Sequence, residues 1–385
     1  MALVPAVVKK LVARKIDITI QSNAGSGSHH IDDDYISVGA SIAQNDEAQS
    51  LWAEADIVLT VHPPTPQQAG AMRQGAIFVG VLDPVHQHDV VQAMLDRKVT
   101  AFAMTFVPRT TRAQSMDILS SQANLGGYRA ALMAAAHSAK LFPMMMTAAG
   151  MIKPAKVFII GAGVAGLQAI ATAKRLGAIV EAFDVRPAVE EQIKSLGARF
   201  VKIDLGADDS ETAGGYAKEL TEEQRQKQTE LMQKHIIGSN CTITTAAVFG
   251  KAPPMLISKS VVEQMPSGAV IIDLAANPEY GRGNCELTEP GKCITTDNGV
   301  IIDGSTNLPS TVAIDASGTF ANNLVSFLDE IIKETTTETD EGEDKKTETS
   351  LDIELNLEDE IQKGACITHA GQLTNDLVRS AMGKE

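Results

Sequence analysis

Six residues, Gly161-Ala162-Gly163-Val164-Ala165-Gly166, directly follow the apolar run Val157-Phe158-Ile159-Ile160 and open the helical stretch 167–176. Glycines at this spacing occur in many turns, but the order strand, turn, helix leaves the chain few options. The first glycine makes a tight turn, the second lets an anionic ligand approach the backbone, and the third lets helix and strand pack closely. The amino end of the helix then presents free N–H groups and a partial positive charge to a pyrophosphate. Asp184 ends the next apolar run, 179–183, where a carboxylate can accept hydrogen bonds from adenosine ribose hydroxyls and repel the 2′-phosphate of NADP. The candidate cofactor contacts are therefore Gly161, Gly163, Val164, Ala165, Gly166, Asp184, Val185 and Arg186, and the cofactor is NAD(H). Arg186 keeps an alternative open, because a basic residue beside the acid could accommodate that phosphate; an ordinary surface arginine is the plainer reading. Thr244 and Thr245 end a further strand, 242–245, where open α/β sheets place ligand contacts, although plain strand and turn residues would look the same.

Strand-like and helical stretches alternate on both sides of this turn. Runs at 16–20, 57–61, 76–81 and 100–105 predict one parallel sheet, and those at 157–160, 179–183, 199–203, 242–245 and 269–274 a second. The expected fold is α/β: two doubly wound, parallel-sheet Rossmann-like domains linked by long helices and forming a cleft. The first spans 1–120 and is completed by the C-terminal segment 308–385; the second, 121–307, binds the nucleotide. Residues 1–15 read as helix rather than a transit peptide, because Ala6-Val7-Val8 and Leu11-Val12 recur at helical spacing. An Ala-rich helix is expected over 120–142, ended by Pro143 and Gly150. The Asp-, Gly- and Ala-rich stretch 206–215 suggests a mobile flap, followed by a polar helix over 222–235. The acidic, low-complexity stretch 334–350 is expected to be a disordered insertion, with a short strand re-forming in 351–357.

The net charge of -15 argues against nucleic acid, which needs clustered Lys and Arg. Cys241, Cys285, Cys293 and Cys366 lack CxxC spacing, so neither a zinc site nor a disulfide framework is indicated, and no metal is expected. No apolar run approaches the roughly 20 residues of a membrane span, so this chain alone is not expected to move ions across a bilayer.

The segment 109–130, RTTRAQSMDILSSQANLGGYRA, resembles the first, soluble domain of proton-translocating (Re/Si-specific) NAD(P) transhydrogenases, a branch of the alanine dehydrogenase/transhydrogenase superfamily. The likeness continues through Phe142-Pro143-Met144-Met145-Met146, the glycine fingerprint, Asp184-Val185-Arg186, Glu211-Thr212-Ala213-Gly214-Gly215-Tyr216 and Thr306-Asn307-Leu308-Pro309-Ser310. It implies that Arg109, Asp117 and Ser120 hold the nicotinamide carboxamide and its ribose, and that Gln114 brings the nucleotide of a partner domain into range. It also implies that Gly215 and Tyr216 belong to a loop closing over bound nucleotide, which would exclude water. The implied reaction is direct hydride transfer between NADH on this chain and NADP(H) on a partner domain, catalysed by juxtaposing two rings and needing no acid or base. Implied partners are the NADP(H)-binding domain, a membrane proton-channel subunit and a second copy of this chain. The chain would be cytoplasmic or matrix-side, peripheral to the membrane through those partners.

Several features depart from the pattern. The chain begins after the family's opening Val-Pro-Lys-Glu motif, so the first domain is expected to lack a sheet strand. Residues 277–283 replace a shorter turn, and Thr311 stands where an arginine often follows Pro-Ser. Two rival readings stand beside the resemblance. An alanine dehydrogenase would need a basic carboxylate clamp and a cleft histidine. Here His62-Pro63-Pro64 carries no lysine, Gly80-Val81-Leu82-Asp83-Pro84 replaces the histidine-bearing turn, and His86 and His88 read as solvated. The other rival is an NAD(H)-sensing subunit that has lost contact with its partner.

Overall fold

The structure is a computed structural model, which describes residues 1–44, 47–202, 222–247, 251–341 and 344–384. It divides into two compact units: Met1–Gln122 with Ala313–Glu385, and Ala123–Val312. The first division falls within the helix Ile118–His137 and the second at the start of the helix Ala313–Ile331.

In the first unit the strands Ile57–Thr60, Ile77–Gly80 and Thr100–Ala103 run parallel. Cys366–His369 then pairs antiparallel with Thr100–Ala103, and Gln372–Leu373 with Cys366–His369. The sheet is thus mixed where a parallel one was expected, because its last strands come from the far end of the chain and enter from the opposite direction. Successive residues of the middle strand serve two cores. Ile77 and Val79 pack with Phe102, Phe320, Leu324 and Phe327 on one face, while Phe78 packs with Met72, Val91 and Met94 on the other. Both faces are covered, which is why the strands read as continuous apolar runs rather than alternating ones. The Phe102 and Phe327 rings meet edge to face, centroids 5.1 Å apart.

The amino-terminal stretch is helical over Pro5–Ala13 and buries Val7, Val8 and Leu11, the spacing read from the sequence; Pro5 starts it, where a missing N–H costs nothing. Thr19–Gln21 pairs with Ser41–Ala43 in a separate two-stranded parallel sheet. Where an acidic disordered insertion was expected, Ile332–Glu341 pairs with Asp344–Ile353 as an antiparallel hairpin, with Ile332 opposite Ile353 and Glu334 opposite Leu351. The composition misled because the run Thr335-Thr336-Thr337-Glu338-Thr339 is rich in a β-branched residue, which favours extended backbone whatever the charge around it.

The second unit holds a seven-stranded sheet in the order Arg199–Phe200, Ile179–Phe183, Lys156–Ile160, Cys241–Thr244, Val270–Asp273, Ile301–Asp303, Cys293–Thr295. All pairs are parallel except the last. Val157 and Ile159 face one core with Ala169, Ile170 and Ala173 of the helix Val164–Arg175, and Phe158 and Ile160 the other with Met232 and Ile236. The chain moves outward one way from Lys156–Ile160 and then returns to start outward the other way with Cys241–Thr244. Such a reversal opens a crevice beyond the carboxyl ends of these two strands.

Candidate nucleotide site

The glycine fingerprint sits at that reversal, between the strand Lys156–Ile160 and the helix Val164–Arg175. Its three glycines differ in what surrounds them. Gly161 has φ +98°, a left-handed conformation, and a Cβ there would lie 2.3 Å from Thr245 Oγ1. At Gly166 a Cβ would lie 1.9 Å from the Gly161 carbonyl oxygen, so no side chain fits between helix and turn. At Gly163 a Cβ would meet nothing within 4 Å. Internal packing therefore explains the first and third glycines and not the second, which faces open space at the amino end of a helix that has no side-chain cap. Free N–H groups and the helix dipole at such an end favour an anion.

Thr245 and Asp184 hold the turn from two sides. Thr245 donates its N–H to Ile160 O (2.8 Å) and its hydroxyl to the carbonyls of Ile160 (3.2 Å) and Gly161 (3.3 Å). Asp184 Oδ2 accepts the Ala162 N–H at 2.7 Å, and Oδ1 accepts the Arg186 N–H at 2.9 Å. The Arg186 side chain forks onto the same carboxylate, with Nε and Nη2 each 3.0 Å from an oxygen. Each carboxylate oxygen thus already accepts two hydrogen bonds. Burial of Asp184 disfavours its charge, but the hydrogen bonds from Arg186 and Ala162 and the guanidinium charge outweigh it and hold the carboxyl below its usual range. The same hydrogen bond to Asp184 raises Arg186 above its own usual value. Val164 and Val185 are exposed beside the turn.

Thr244 is placed differently. Its side chain is buried and donates to Asp273 Oδ1 at 2.9 Å. Asp273, which sequence reasoning did not single out, also accepts from the Ala275 and Cys285 N–H groups and the Thr288 hydroxyl. Asn284, equally unforeseen, accepts the Ala246 N–H and donates to the carbonyls of Ala246 and Pro254, so the segment after Thr245 is clamped. Neither residue belongs to a spacing motif; an acid ending an apolar strand was the only available signal. Gly215 and Tyr216, the proposed closing loop, lie outside the described residues.

Arg109, Gln114, Asp117 and Ser120 all belong to the first unit. Ala113 and Met116 are buried in its core, which anchors the short turn Gln114–Met116 and leaves Arg109 and Gln114 exposed. Among the described residues Arg109 makes no ion pair or side-chain hydrogen bond, whereas its neighbour Arg112 pairs with Asp359. Asp117 accepts both the N–H (2.9 Å) and the hydroxyl (2.6 Å) of Ser120 and so caps the helix Ile118–His137. Asn323 braces the segment, donating to Ser115 O at 2.6 Å and accepting from Ser121 Oγ at 2.7 Å. The histidines that a dehydrogenase reading would use are tied locally: His86 pairs with Asp83, and His88 bonds the Val85 carbonyl.

This sheet, its glycine turn and the unit that interrupts a second α/β unit define a class, and the chain belongs to the alanine dehydrogenase/PNT family. The N-terminal domain of that family matches residues 1–126 and the C-terminal domain residues 130–376. The chain is 47% identical over 380 residues to the first component of NAD(P) transhydrogenase subunit alpha of Rhodospirillum rubrum, covering 97% of this chain and 94% of that protein. It is 40% identical to the same component of Rickettsia prowazekii, over 98% of this chain and 93% of that one. The crystal structure of a transhydrogenase from Sinorhizobium meliloti superposes with a TM-score of 0.82 at 39% identity, covering 97% of this chain and 95% of that one. Among the described residues no helix is long and apolar enough to cross a membrane.

Proposed function

We propose that this chain is the NAD(H)-binding component of a proton-translocating transhydrogenase. It holds NADH while hydride passes to NADP+ on a partner domain, and a membrane subunit couples that transfer to proton movement. The observation that carries the nucleotide reading is Gly163: a glycine with no packing reason, at an uncapped helix end, at the reversal point of a parallel sheet. The match to transhydrogenase alpha subunits along nearly the whole chain supports the reaction and the need for partners. Hydride leaves C4 of NADH and joins C4 of NADP+, giving NAD+ and NADPH, so no protein group need gain or lose a proton. Arg109, Asp117 and Ser120 take the nicotinamide and its ribose, Gln114 the approach of the second nucleotide, and Gly215 and Tyr216 the closing loop. The chain works at the cytoplasmic or matrix face of the membrane, through its partners.

NAD(H) is preferred to NADP(H), with a condition set by the geometry. Because Arg186 occupies Asp184, ribose hydroxyls reach the carboxylate only when the guanidinium swings away. Removing Arg186 should therefore leave NADH binding intact or tighter, whereas a chain built for NADP(H) would lose its phosphate partner.

A homodimer is supported by the hairpin Met145–Thr147 with Gly150–Ile152, which bares Met144, Met145, Met146, Met151 and Ile152, Met146 at 72% exposure. Met146→Lys should shift the chain from dimer to monomer in sedimentation; unchanged sedimentation would place the dimer contact elsewhere.

The deciding experiment is a fluorescence titration with NADH and NADPH, followed by hydride transfer to a nucleotide analogue after adding a purified NADP(H)-binding domain. Gln114→Asn should cut transfer by about tenfold or more while leaving NADH affinity within about twofold, the signature of a lost positioning contact. NADH binding with no transfer in the unaltered chain would favour a sensing subunit.

A further inference from the structure

Three side chains with metal-ligand chemistry meet in the second unit. His137 is the last residue of the helix Ile118–His137, and Cys293 and Asp303 face each other across the antiparallel pair Cys293–Thr295 and Ile301–Asp303. One ligand atom from each lies within 4.8 Å of the others, with His137 Nε2 3.0 Å from Asp303 Oδ2. Asp303 is almost fully buried, and its other oxygen accepts the Ser305 N–H at 2.9 Å, which fixes the carboxylate with Oδ2 toward the cluster. Cys293 is exposed, so the cluster is open to solvent on one side.

We propose that His137, Cys293 and Asp303 form a binding site for a thiophilic divalent metal ion of the zinc class, with water as the fourth ligand. Bonds of about 2.0 Å to nitrogen and oxygen and 2.3 Å to sulfur put tetrahedral ligands roughly 3.3–3.5 Å apart. The cluster reaches that spacing if the thiol, within 4.8 Å of both partners, closes in and the His–Asp pair opens by a few tenths of an ångström. The mix of imidazole, thiolate and carboxylate suits zinc rather than calcium or magnesium, which take oxygen ligands. Two negative features already converge here, the carboxylate and the carboxyl end of a helix, and a cation offsets both. The bond balance is simple: the ion binds neutral imidazole and ionised carboxylate, and the thiol releases its one proton on becoming thiolate.

The full chain, stripped with chelator and titrated with Co2+ as probe, tests this directly. One Co2+ per chain should bind with an ultraviolet thiolate-to-cobalt charge-transfer band that Zn2+ abolishes. Cys293→Ser, at an exposed position, should remove the band, and His137→Gln should weaken binding by about 100-fold or more, since even supporting residues of such sites are worth 10–100-fold. Zinc should also raise the melting temperature of the unaltered chain and not of Cys293→Ser. Absence of the band, or a band unchanged in Cys293→Ser, would overturn the proposal.

Discussion

At the level of single residues, the fingerprint separates into packing and recognition. Gly166→Ala drives a methyl into the Gly161 carbonyl and must push helix from strand, so both stability and NADH affinity should fall, the former by about 2–4 kcal/mol as for other overpacked or strained sites. Gly163→Ala places its methyl in open space, so the melting temperature should barely move while NADH affinity drops about tenfold or more through lost backbone approach. If both variants lost stability alike, Gly163 would be a packing residue and the nucleotide reading would lose its main support. Asp184 makes a separate prediction. Its carboxyl is held below its usual range in the folded chain, so it contributes stability above the unfolded value near about pH 4, and that contribution fades as pH falls through the lower folded value. Urea unfolding between about pH 5 and pH 2 should therefore show a shallower acid-side loss in Asp184→Asn than in the unaltered chain.

Two helix backbones come into close contact where Ile118–His137 crosses the start of Val164–Arg175. A Cβ on Gly127 would lie 2.1 Å from the Ala165 carbonyl oxygen, a contact between the two helix backbones themselves. Glycine inside a helix costs about 1 kcal/mol against alanine, so the pair Gly126-Gly127 in an otherwise Ala-rich stretch is itself a signal of close approach. What it approaches was not legible, because the partner lies some forty residues on. Gly127→Ala should shift the fingerprint helix and weaken NADH binding, whereas Gly126→Ala, whose methyl meets nothing within 4 Å, should leave binding unchanged or add slight stability; titration of both variants checks this. The hairpin at 332–353 carries the opposite lesson. Charge and low complexity outweighed its threonines in the sequence reading, while the paired register uses them as strand residues.

Over the whole molecule, the first unit is assembled from both ends of the chain. Thr100–Ala103 pairs with Cys366–His369, and Phe102 packs on Phe327, so its sheet closes only after the second unit has been made. Contacts so far apart in sequence fold slowly. A chain truncated after Val312 removes Phe320, Leu324 and Phe327 from the core and bares the edge of Thr100–Ala103. At about 1.5–3 kcal/mol for each buried side chain, that loss approaches the whole stability of a domain. Limited proteolysis of the truncated chain should digest 1–122 while sparing 123–312; equal resistance of both would contradict this dependence on the C-terminal strands and helix.

The amino-acid sequence by itself determined the α/β class, the strands of the two main sheets up to Val270–Asp273 and the glycine turn, because these rest on local patterns: apolar runs, glycine spacing and an acid at a strand end. It did not reveal Ile301–Asp303, Cys293–Thr295, Cys366–His369 or Gln372–Leu373, and it put the run 16–20 in the main sheet rather than in a separate pair. Tertiary structure alone decided that Thr244 donates to Asp273, that Asn284 clamps the segment after Thr245, and that His137, Cys293 and Asp303 converge. Each of those facts joins side chains whose distance depends on strand order and register. Periodicity reports which face a residue takes, and only the packed sheet reports what lies across from it.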